Sequence, residues 1–275
     1  MTGDSAPAGV DGDGDGGNQW PWLGRPRRMA FAVVEDLVDR IVGRQFQAGD
    51  ALPNELALCA NYGASRTVIR EALQSAEAMH LVRAQQGQGT IVRPLEDWDL
   101  LSPLVLAATV RHDAELAILE DLIDMRRALE AQMAAQAAVR ATEQQLADIS
   151  ACYDRLVEDA DNPARHLQTD LEFHDAIMRA SGNRLGRAAT LVILAEGFRS
   201  LRYLGDSTPE RGHVANVGHR QLLDRILAHD AEGAAVCMNE HIVGSWLRRR
   251  PRPPSDRASD VLRGSPGVGS LTERP

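Results

Sequence analysis

Apolar residues recur every three or four positions from Ala30 to Ile41, a spacing that predicts an amphipathic helix. Two shorter helical patterns follow, LPNELALCANYG and ASRTVIREALQSAEAMH, and they meet at Gly63 and Ser65, where Ser65 is a candidate N-cap. The stretch LVRAQQGQGTIVRP then predicts two short strands around a Gly-Gln-Gly turn. This order of elements is typical of a winged helix-turn-helix domain, which we place at residues 29–94.

The segment 95–249 keeps the helical period throughout and contains no further strand pattern. It divides at short breaks into seven predicted helices, near residues 98–111, 114–140, 142–160, 165–181, 184–204, 209–229 and 231–248. We therefore expect a mostly α fold, in which the winged helix-turn-helix domain precedes an antiparallel all-α bundle. The segments 1–28 and 250–275 are rich in Gly, Pro, Ser and charge and are predicted to be disordered tails.

Composition narrows the class of protein. The net charge is −9, and all 30 basic residues are arginines, whose planar guanidinium groups suit phosphate and carboxylate partners. Residues 25–93 depart from this acidity, with nine arginines against seven Asp and Glu residues. The three scattered cysteines predict neither disulfides nor a cysteine-rich zinc site. Because the chain has no bilayer-length apolar run and no signal-peptide layout, we expect a cytoplasmic protein with no membrane partner.

Several polar side chains fall on the apolar stripes of the predicted bundle helices. Asp170 and His174 share one face of their helix, and His219 and His241 lie on the inward stripes of two later helices. A single inward histidine is most often a hydrogen-bonded core residue, but three imidazoles and one carboxylate together suit a divalent ion. The sequence therefore predicts a metal site, with zinc as the first choice and nickel, manganese, cobalt or iron as alternatives.

Arg126 also lies on an inward stripe, in line with Glu130. An inward guanidinium can bind the carboxylate of a small acid held beside the metal. The alternative is an ion pair with Glu130, which lies four residues later on the same helix and would occupy part of the guanidinium. The spacing alone leaves both interpretations open.

The polar face of the third predicted helix begins with Arg66, Thr67 and Arg70. The stretch LPNELALCANYGASRTVIREAL, followed by GQGTIV, resembles the winged-helix domain of GntR-type bacterial transcription regulators. The resemblance implies that Ser65, Arg66, Thr67 and Arg70 contact phosphates and bases of double-stranded operator DNA. It also implies that Gly87 in the wing approaches the minor groove. Arginine donors, hydroxyl groups and a glycine in the wing suit such contacts.

The stretches DLIDMRRALEAQMAAQAA, DLEFHDAIMRASGN and GHRQLLDRILAHDAEGAAVCMNEHI resemble the FCD effector domain of the FadR-like subgroup of GntR regulators. The resemblance implies that the metal ligands are Asp170, His174, His219 and His241. It implies that the effector is a small organic acid, which Arg126 helps to bind. It further implies a homodimer on a near-palindromic operator, so that residues 95–249 would be both effector and dimerisation domain.

We therefore expect a bacterial transcriptional regulator, acting as a repressor, whose operator binding is controlled by a small carboxylate effector at the metal. We do not expect an enzyme, because no HExxH-type base or separate nucleophile pair accompanies the site. The alternatives are a metal-dependent enzyme, in which the ion activates water, and a pure metal sensor, in which the ion itself is the signal. A purely structural metal is a third alternative.

Overall fold

The computed structural model describes residues 25–197 and 208–250 of the 275-residue chain. Its elements are, in chain order, α1 (Arg25–Val42), α2 (Glu55–Tyr62), α3 (Arg66–Ala78), β1 (Val82–Gln85), β2 (Gly89–Val92), α4 (Pro103–His112), α5 (Ala117–Arg140), α6 (Glu143–Glu158), α7 (Pro163–Ala180), α8 (Arg184–Gly197), α9 (Pro209–Leu227) and α10 (Ala231–Arg249). A winged helix-turn-helix therefore precedes a helical bundle, and the predicted mostly α fold is confirmed.

Two N-caps and one glycine in the left-handed conformation determine where the helices of the helix-turn-helix begin and end. Asn54 Oδ1 accepts the backbone N–H of Ala57 at 2.9 Å and begins α2. Gly63 ends α2 with a φ of 60°, in the left-handed region that favours glycine. Ser65 Oγ then accepts the backbone N–H of Val68 at 3.4 Å and begins α3. The break predicted at Gly63 and the N-cap predicted at Ser65 are both confirmed.

The wing is an antiparallel hairpin that packs against the three front helices. Val82 pairs with Val92 across β1 and β2, and Gln85 pairs with Gly89. The front core is made of apolar side chains from α1, α2, α3 and the hairpin. It includes Val34, Leu37, Val38, Ile41, Leu58, Val68, Ile69, Ala76, Leu81 and Val82. The tip of the hairpin therefore projects from a module that has its own core.

Helix α4 contributes to both hydrophobic cores, although it lies beyond the predicted domain boundary at residues 94 and 95. Val105 and Ala108 pack with the winged-helix core. Leu106 and Val110 pack with the core of the bundle. Because interiors are close-packed, a shift of α4 on the bundle side is felt on the winged-helix side.

Ion pairs add to this contact between α4 and α1. Asp39 of α1 binds the guanidinium of Arg111 and lies 3.0 Å from Nε2 of His112, both at the end of α4. The interactions with Arg111 and His112 outweigh the effect of burial and lower the pKa of Asp39. The carboxylate is thus ionised at neutral pH and joins the two domains.

Helix α5 packs against α7, α8, α9 and α10 and so occupies the middle of the bundle. Its buried face consists mostly of Leu119, Leu122, Ile123, Met133, Ala134, Ala137 and Ala138. Arg126 and Glu130 lie on that same face and are buried among these apolar residues. The inward stripe predicted for this helix is therefore present, together with its two charged members.

The seven helices predicted for the bundle correspond to α4 to α10, with shifted ends. Helix α4 begins at Pro103 rather than at residue 98, because proline suits a first turn. Leu116, with a φ of 64°, lies immediately before α5, which begins at residue 117 rather than 114. The remaining part of the predicted helix 184–204, beyond Gly197, lies outside the described residues until Thr208.

The two predicted tails fall largely outside the described part of the chain. Helix α1 begins at Arg25, so the last four residues of the segment 1–28 are helical rather than part of a tail. Residues 1–24 and 251–275 are outside the described ranges. Among the described helices, none has the length and apolarity that crossing a membrane requires.

Replacing Gly63 by alanine should destabilise the protein by about 1 kcal/mol, because a Cβ strains the left-handed conformation. No atom lies within 4 Å of the position that this Cβ would take, so the loss comes from the backbone alone. Gly63→Asn is the matched control and should lose less, since asparagine tolerates this region. Urea unfolding of the three proteins measures the difference, and an equal loss for both variants would contradict the argument.

Candidate functional site

Three helices of the bundle bring Asp170, His174, His219 and His241 together. Asp170 and His174 are four residues apart on α7 and therefore share a face, while His219 lies on α9 and His241 on α10. One candidate ligand atom from each side chain lies within 4.8 Å of all the others. The rings of His219 and His241 have centroids 4.0 Å apart. The four predicted ligands thus converge on one point in the interior of the bundle.

A glycine on α9 makes room for this convergence. A Cβ at Gly218 would lie 3.0 Å from Nδ1 of His241, which is closer than side chains normally approach. The missing side chain lets the ring of His241 lie flat against α9, beside His219. Helices α9 and α10 can therefore approach closely at the level of the ligands.

Each of the three histidines has one ring nitrogen without a hydrogen-bond partner. Nε2 of His174, Nε2 of His219 and Nδ1 of His241 are all buried, and none has a partner among the described residues. Nε2 of His219 does lie 3.1 Å from Oδ1 of Asp170, but not in hydrogen-bonding geometry. Leaving a buried polar atom unsatisfied costs about 1–3 kcal/mol. A cation between these atoms would remove that cost, so the side chains fit a divalent metal.

Asn216 determines which nitrogen of His219 faces the site. Its amide Nδ2 donates to the carbonyl oxygen of Leu156 at 3.3 Å, so its Oδ1 must act as an acceptor. That oxygen lies 3.3 Å from Nδ1 of His219 and 3.0 Å from Nε2 of His166. Nδ1 of His219 therefore carries the proton, and the lone pair of Nε2 points toward Asp170. A metal ligand needs this tautomer.

Glu130 has the same effect on His174. Its Oε2 accepts from Nδ1 of His174 at 2.6 Å, which leaves Nε2 of that ring for the site. Its Oε1 accepts from Nε of Arg126 at 2.7 Å, and both side chains of this ion pair are almost fully buried. The structure thus forms the intrahelical pair that the spacing allowed for Arg126. The pair has a further role, because it holds a metal-ligand candidate in place.

The charges at the site suit a metal ion. Burial raises the pKa of Asp170, but the ring of His219 and the other imidazoles outweigh it and hold the pKa well below its usual range. Glu130 behaves alike, since Arg126 and His174 lower its pKa to about 2 despite its burial. Burial lowers the pKa of His219, and burial together with the neighbouring rings lowers that of His241 well below normal. Ionised carboxylates and neutral imidazoles are the forms that bind metals.

A cavity of about 100 Å³ opens beside the candidate ligands. Arg126, Asp170 and His241 line it, together with His166. Arg126 therefore combines both interpretations of its sequence position, because its Nε binds Glu130 while its side chain also borders the cavity. A small molecule in this space would contact the metal-ligand candidates and a guanidinium at the same time.

Two further histidines, His166 and His213, are near the site in the sequence but lie differently in the structure. His166 is outside the group of converging ligands and binds Asn216 instead. His213 is exposed, and its Nε2 atom lies 2.9 Å from Oδ1 of Asp161. Neither is placed as a ligand.

Sequence reasoning missed three residues that shape the site. Glu130 was considered only as a partner for Arg126, and Asn216 and Gly218 were not considered. The signal for Asn216 is its position one turn before His219 on the same helix, where its amide can reach the ring. The contact of Glu130 with His174 spans 44 residues and has no local signature. The same holds for the contact of Gly218 with His241.

The DNA-binding candidates cluster at the start of α3. Arg70 Nε lies 3.0 Å from both carboxylate oxygens of Glu55 on α2, in an exposed ion pair. Arg66 has no hydrogen-bond partner among the described residues, so its guanidinium is available to an external group. The exposed members of this cluster are Ser65, Arg66, Thr67 and Arg70.

Gly87 lies at the exposed tip of the wing, with a φ of 76°. No atom lies within 4 Å of where its Cβ would be, so the conformation of the turn, rather than crowding, favours glycine here. The open space above it is also where a nucleic-acid backbone would approach the wing.

A helix-turn-helix with exposed arginines and a wing is typical of a DNA-binding module, and a bundle with a cavity lined by charged side chains is typical of a ligand-binding one. Together they are typical of a ligand-responsive transcription regulator. Comparison with protein families agrees, because the profile for bacterial regulatory proteins of the gntR family matches residues 30–92 and that of the FCD domain matches residues 121–244. The chain belongs to the GntR family of bacterial transcription regulators and carries an FCD domain.

Curated relatives are regulators as well. The galactonate operon transcriptional repressor of Escherichia coli K12 is 25% identical over 218 residues, which cover 78% of this chain and 94% of the relative. The putative L-lactate dehydrogenase operon regulatory protein of the same organism is 30% identical over 227 residues, covering 79% and 84% of the two chains. Both relatives are transcription regulators, and both matched domains are domains of transcription regulators rather than of enzymes. This agrees with the prediction for this chain.

One solved structure supports the fold alone. Lar, which controls expression of the Listeria monocytogenes agr system, superposes with a TM-score of 0.51 at 13% identity, over 84% of this chain and 98% of that one. Its similarity extends through both the winged helix and the bundle, given this coverage.

Glu130→Gln should weaken zinc binding by about 10- to 100-fold, because the carboxylate that orients His174 is lost. Competition with a chromophoric chelator measures the affinity, and circular dichroism checks that the helices remain. Glu158→Gln, an exposed change on α6, is the control and should bind zinc like the parent protein. Equal affinities for all three proteins would show that Glu130 does not position the ligand.

Proposed function

We propose that this protein is a homodimeric repressor whose operator binding is controlled by a small organic acid bound at a divalent metal in the helical bundle. The observation that carries the proposal is the group of three buried imidazole nitrogens without hydrogen-bond partners, opposite Asp170 and beside a cavity that Arg126 lines. A structural core has no reason to keep such atoms unsatisfied.

The donor set favours zinc as the resident ion, with nickel, manganese, cobalt or iron as alternatives. Asp170, His174, His219 and His241 would hold it through one oxygen and three nitrogens. Such an ion would supply a Lewis-acidic position for a carboxylate. The chain's own contribution is to orient the imidazoles through Glu130 and Asn216, as described above.

Arg126 would bind the acid from the other side of the cavity. Its Nε donates to Glu130, and its side chain borders the cavity, where a carboxylate could approach the guanidinium. The ion pair also fixes the guanidinium, so little side-chain entropy is lost on binding. The names of two relatives, which mention galactonate and L-lactate, support a small hydroxy acid as the class of effector.

The winged helix would bind operator DNA through Ser65, Arg66, Thr67 and Arg70. Arg66 can donate two hydrogen bonds to a guanine, and the helix N-terminus with its hydroxyl side chains suits a phosphate. Arg70 would have to exchange its ion pair with Glu55 for a contact with DNA, at a small cost because the pair is exposed. Gly87 would let the wing backbone approach the minor groove.

Helix α4 is the element that would transmit the effector signal. It shares buried residues with both cores, its end binds Asp39 of α1, and it packs against α8 of the bundle. A ligand that favours one arrangement of the bundle would therefore shift the winged helices of a dimer relative to each other. Operator affinity would change because two half-sites demand a defined spacing.

Replacing Arg66 by alanine should weaken operator binding by about tenfold or more, since a bidentate base contact contributes roughly 1–3 kcal/mol. Arg70→Ala should also weaken binding, and at least one variant should tolerate base changes that the parent rejects. A DNA site selected from random sequences serves as the operator, and fluorescence anisotropy measures affinity. Arg127→Ala, on the exposed side of α5, is the matched control. Unchanged binding by both variants would refute the placement of α3 on DNA.

Operator binding should depend on metal and acid together. We expect small hydroxy acids to change the affinity of the zinc-loaded protein for its site, but not that of chelator-treated protein or of His174→Ala. His213→Ala, an exposed histidine outside the site, should respond like the parent. A response to zinc without any acid would support a pure metal sensor. A lower melting temperature after zinc removal, together with no effect of acids on operator affinity, would support a structural metal.

A further inference from the structure

Three more arginines line the cavity that adjoins the candidate ligands. Arg211 comes from the first turn of α9, and Arg248 and Arg249 come from the last turn of α10. Asp170 is the only carboxylate among the described residues that line the cavity. We name these three residues the outer arginine cluster. All three residues belong to helices of the bundle and none to the winged helix-turn-helix.

The guanidinium of Arg248 leans back along α10 toward the site. Its Nη2 donates to Oγ of Ser245 at 3.2 Å, and its Nη1 lies 3.1 Å from the position of a Cβ at Gly244. Gly244 is three residues, or about 5 Å along the helix axis, from His241. Because Gly244 has no side chain, the guanidinium of Arg248 can lie over this position. It is then about one helical turn from His241, a metal-ligand candidate.

The cluster holds like charges near one another. Arg211 donates through Nη2 to the backbone carbonyl oxygen of Arg248 at 3.1 Å, which ties the start of α9 to the end of α10. Burial lowers the pKa of Arg248, and the charges of Arg249 and Arg211 lower it further. Guanidinium groups that line one cavity suit an anion, which can form charge-assisted hydrogen bonds with more than one of them.

We infer that the outer arginine cluster is a second anion-binding subsite, so that the effector carries two acidic groups. The inference rests on the proposed function, since the first acidic group would bind beside His241 and Arg126. The second group would be a carboxylate or a phosphate held by Arg211, Arg248 and Arg249. The cavity of about 100 Å³ suits a small diacid or a phosphorylated hydroxy acid.

Matched pairs of acids test the inference. Lactate with malate, galactonate with galactarate, and glycerate with 3-phosphoglycerate each share a hydroxy carboxylate but differ in a second anionic group. Isothermal titration of the zinc-loaded full-length protein should show that at least one member with two acidic groups binds about tenfold or more tightly than its partner, as expected for added charge-assisted hydrogen bonds. The malate and phosphoglycerate arms distinguish a carboxylate from a phosphate.

Variants assign the preference to the cluster. Arg248→Gln, an exposed position, and Arg211→Gln should bring the two members of the preferred pair to similar affinity while leaving the weaker one unchanged. Arg220→Gln, exposed on α9 and paired with Asp224, is the control and should keep the preference. If Arg211→Gln fails to fold, the Arg248 variant decides.

The outcomes separate this inference from the proposed function. Zinc-dependent binding of single acids without any preference for a second acidic group would overturn the inference and leave the proposed function standing. A preference that survives in Arg248→Gln and Arg211→Gln would likewise overturn it. If no acid binds to the zinc-loaded protein, both the inference and the acid effector of the proposed function fail.

Discussion

The structure depends on a set of imidazole nitrogens that are buried and oriented but left without hydrogen bonds. His174 and His219 each donate one ring proton to a fixed oxygen, on Glu130 and Asn216, so that the opposite nitrogen is a bare acceptor in the interior. Such an arrangement is unfavourable by itself. It becomes favourable when a cation binds, and folding of the bundle and metal binding would then stabilise each other.

This constraint explains why charged groups occur deep in an otherwise apolar bundle. Glu130 is fully buried, and its charge is tolerated because Arg126 and His174 bind its two oxygens. Gly218 has no side chain, which allows α9 and α10 to approach. These residues are not themselves ligand candidates, yet they decide where the candidates lie. The same ion pair holds Arg126, which lines the cavity, so one interaction links the candidate metal ligand His174 to the cavity wall.

The connection from the cavity to DNA runs through packed helices. Helix α5 carries Arg126 and packs against the other bundle helices, and α4 shares its buried face between the bundle and the winged helix. Asp39 ties the end of α4 to α1 through ionic contacts. A chain of close-packed elements therefore connects the cavity with the winged helix, and it would give the proposed coupling of ligand and operator binding a physical route.

The sequence by itself determined the elements, the helix-turn-helix caps and the faces on which Asp170, His174, His219 and His241 lie, because periodicity and capping are local properties of the chain. It left the role of Arg126 open, and it did not reveal the contact of Glu130 with His174 or the arginines that line the cavity. Only the tertiary structure decided these. Glu130 and His174 are 44 positions apart, Arg211 and Arg248 are 37 apart, and Arg126 and Arg211 line the same cavity although 85 positions separate them. Distances of that kind depend on how helices pack, which no short window of sequence specifies.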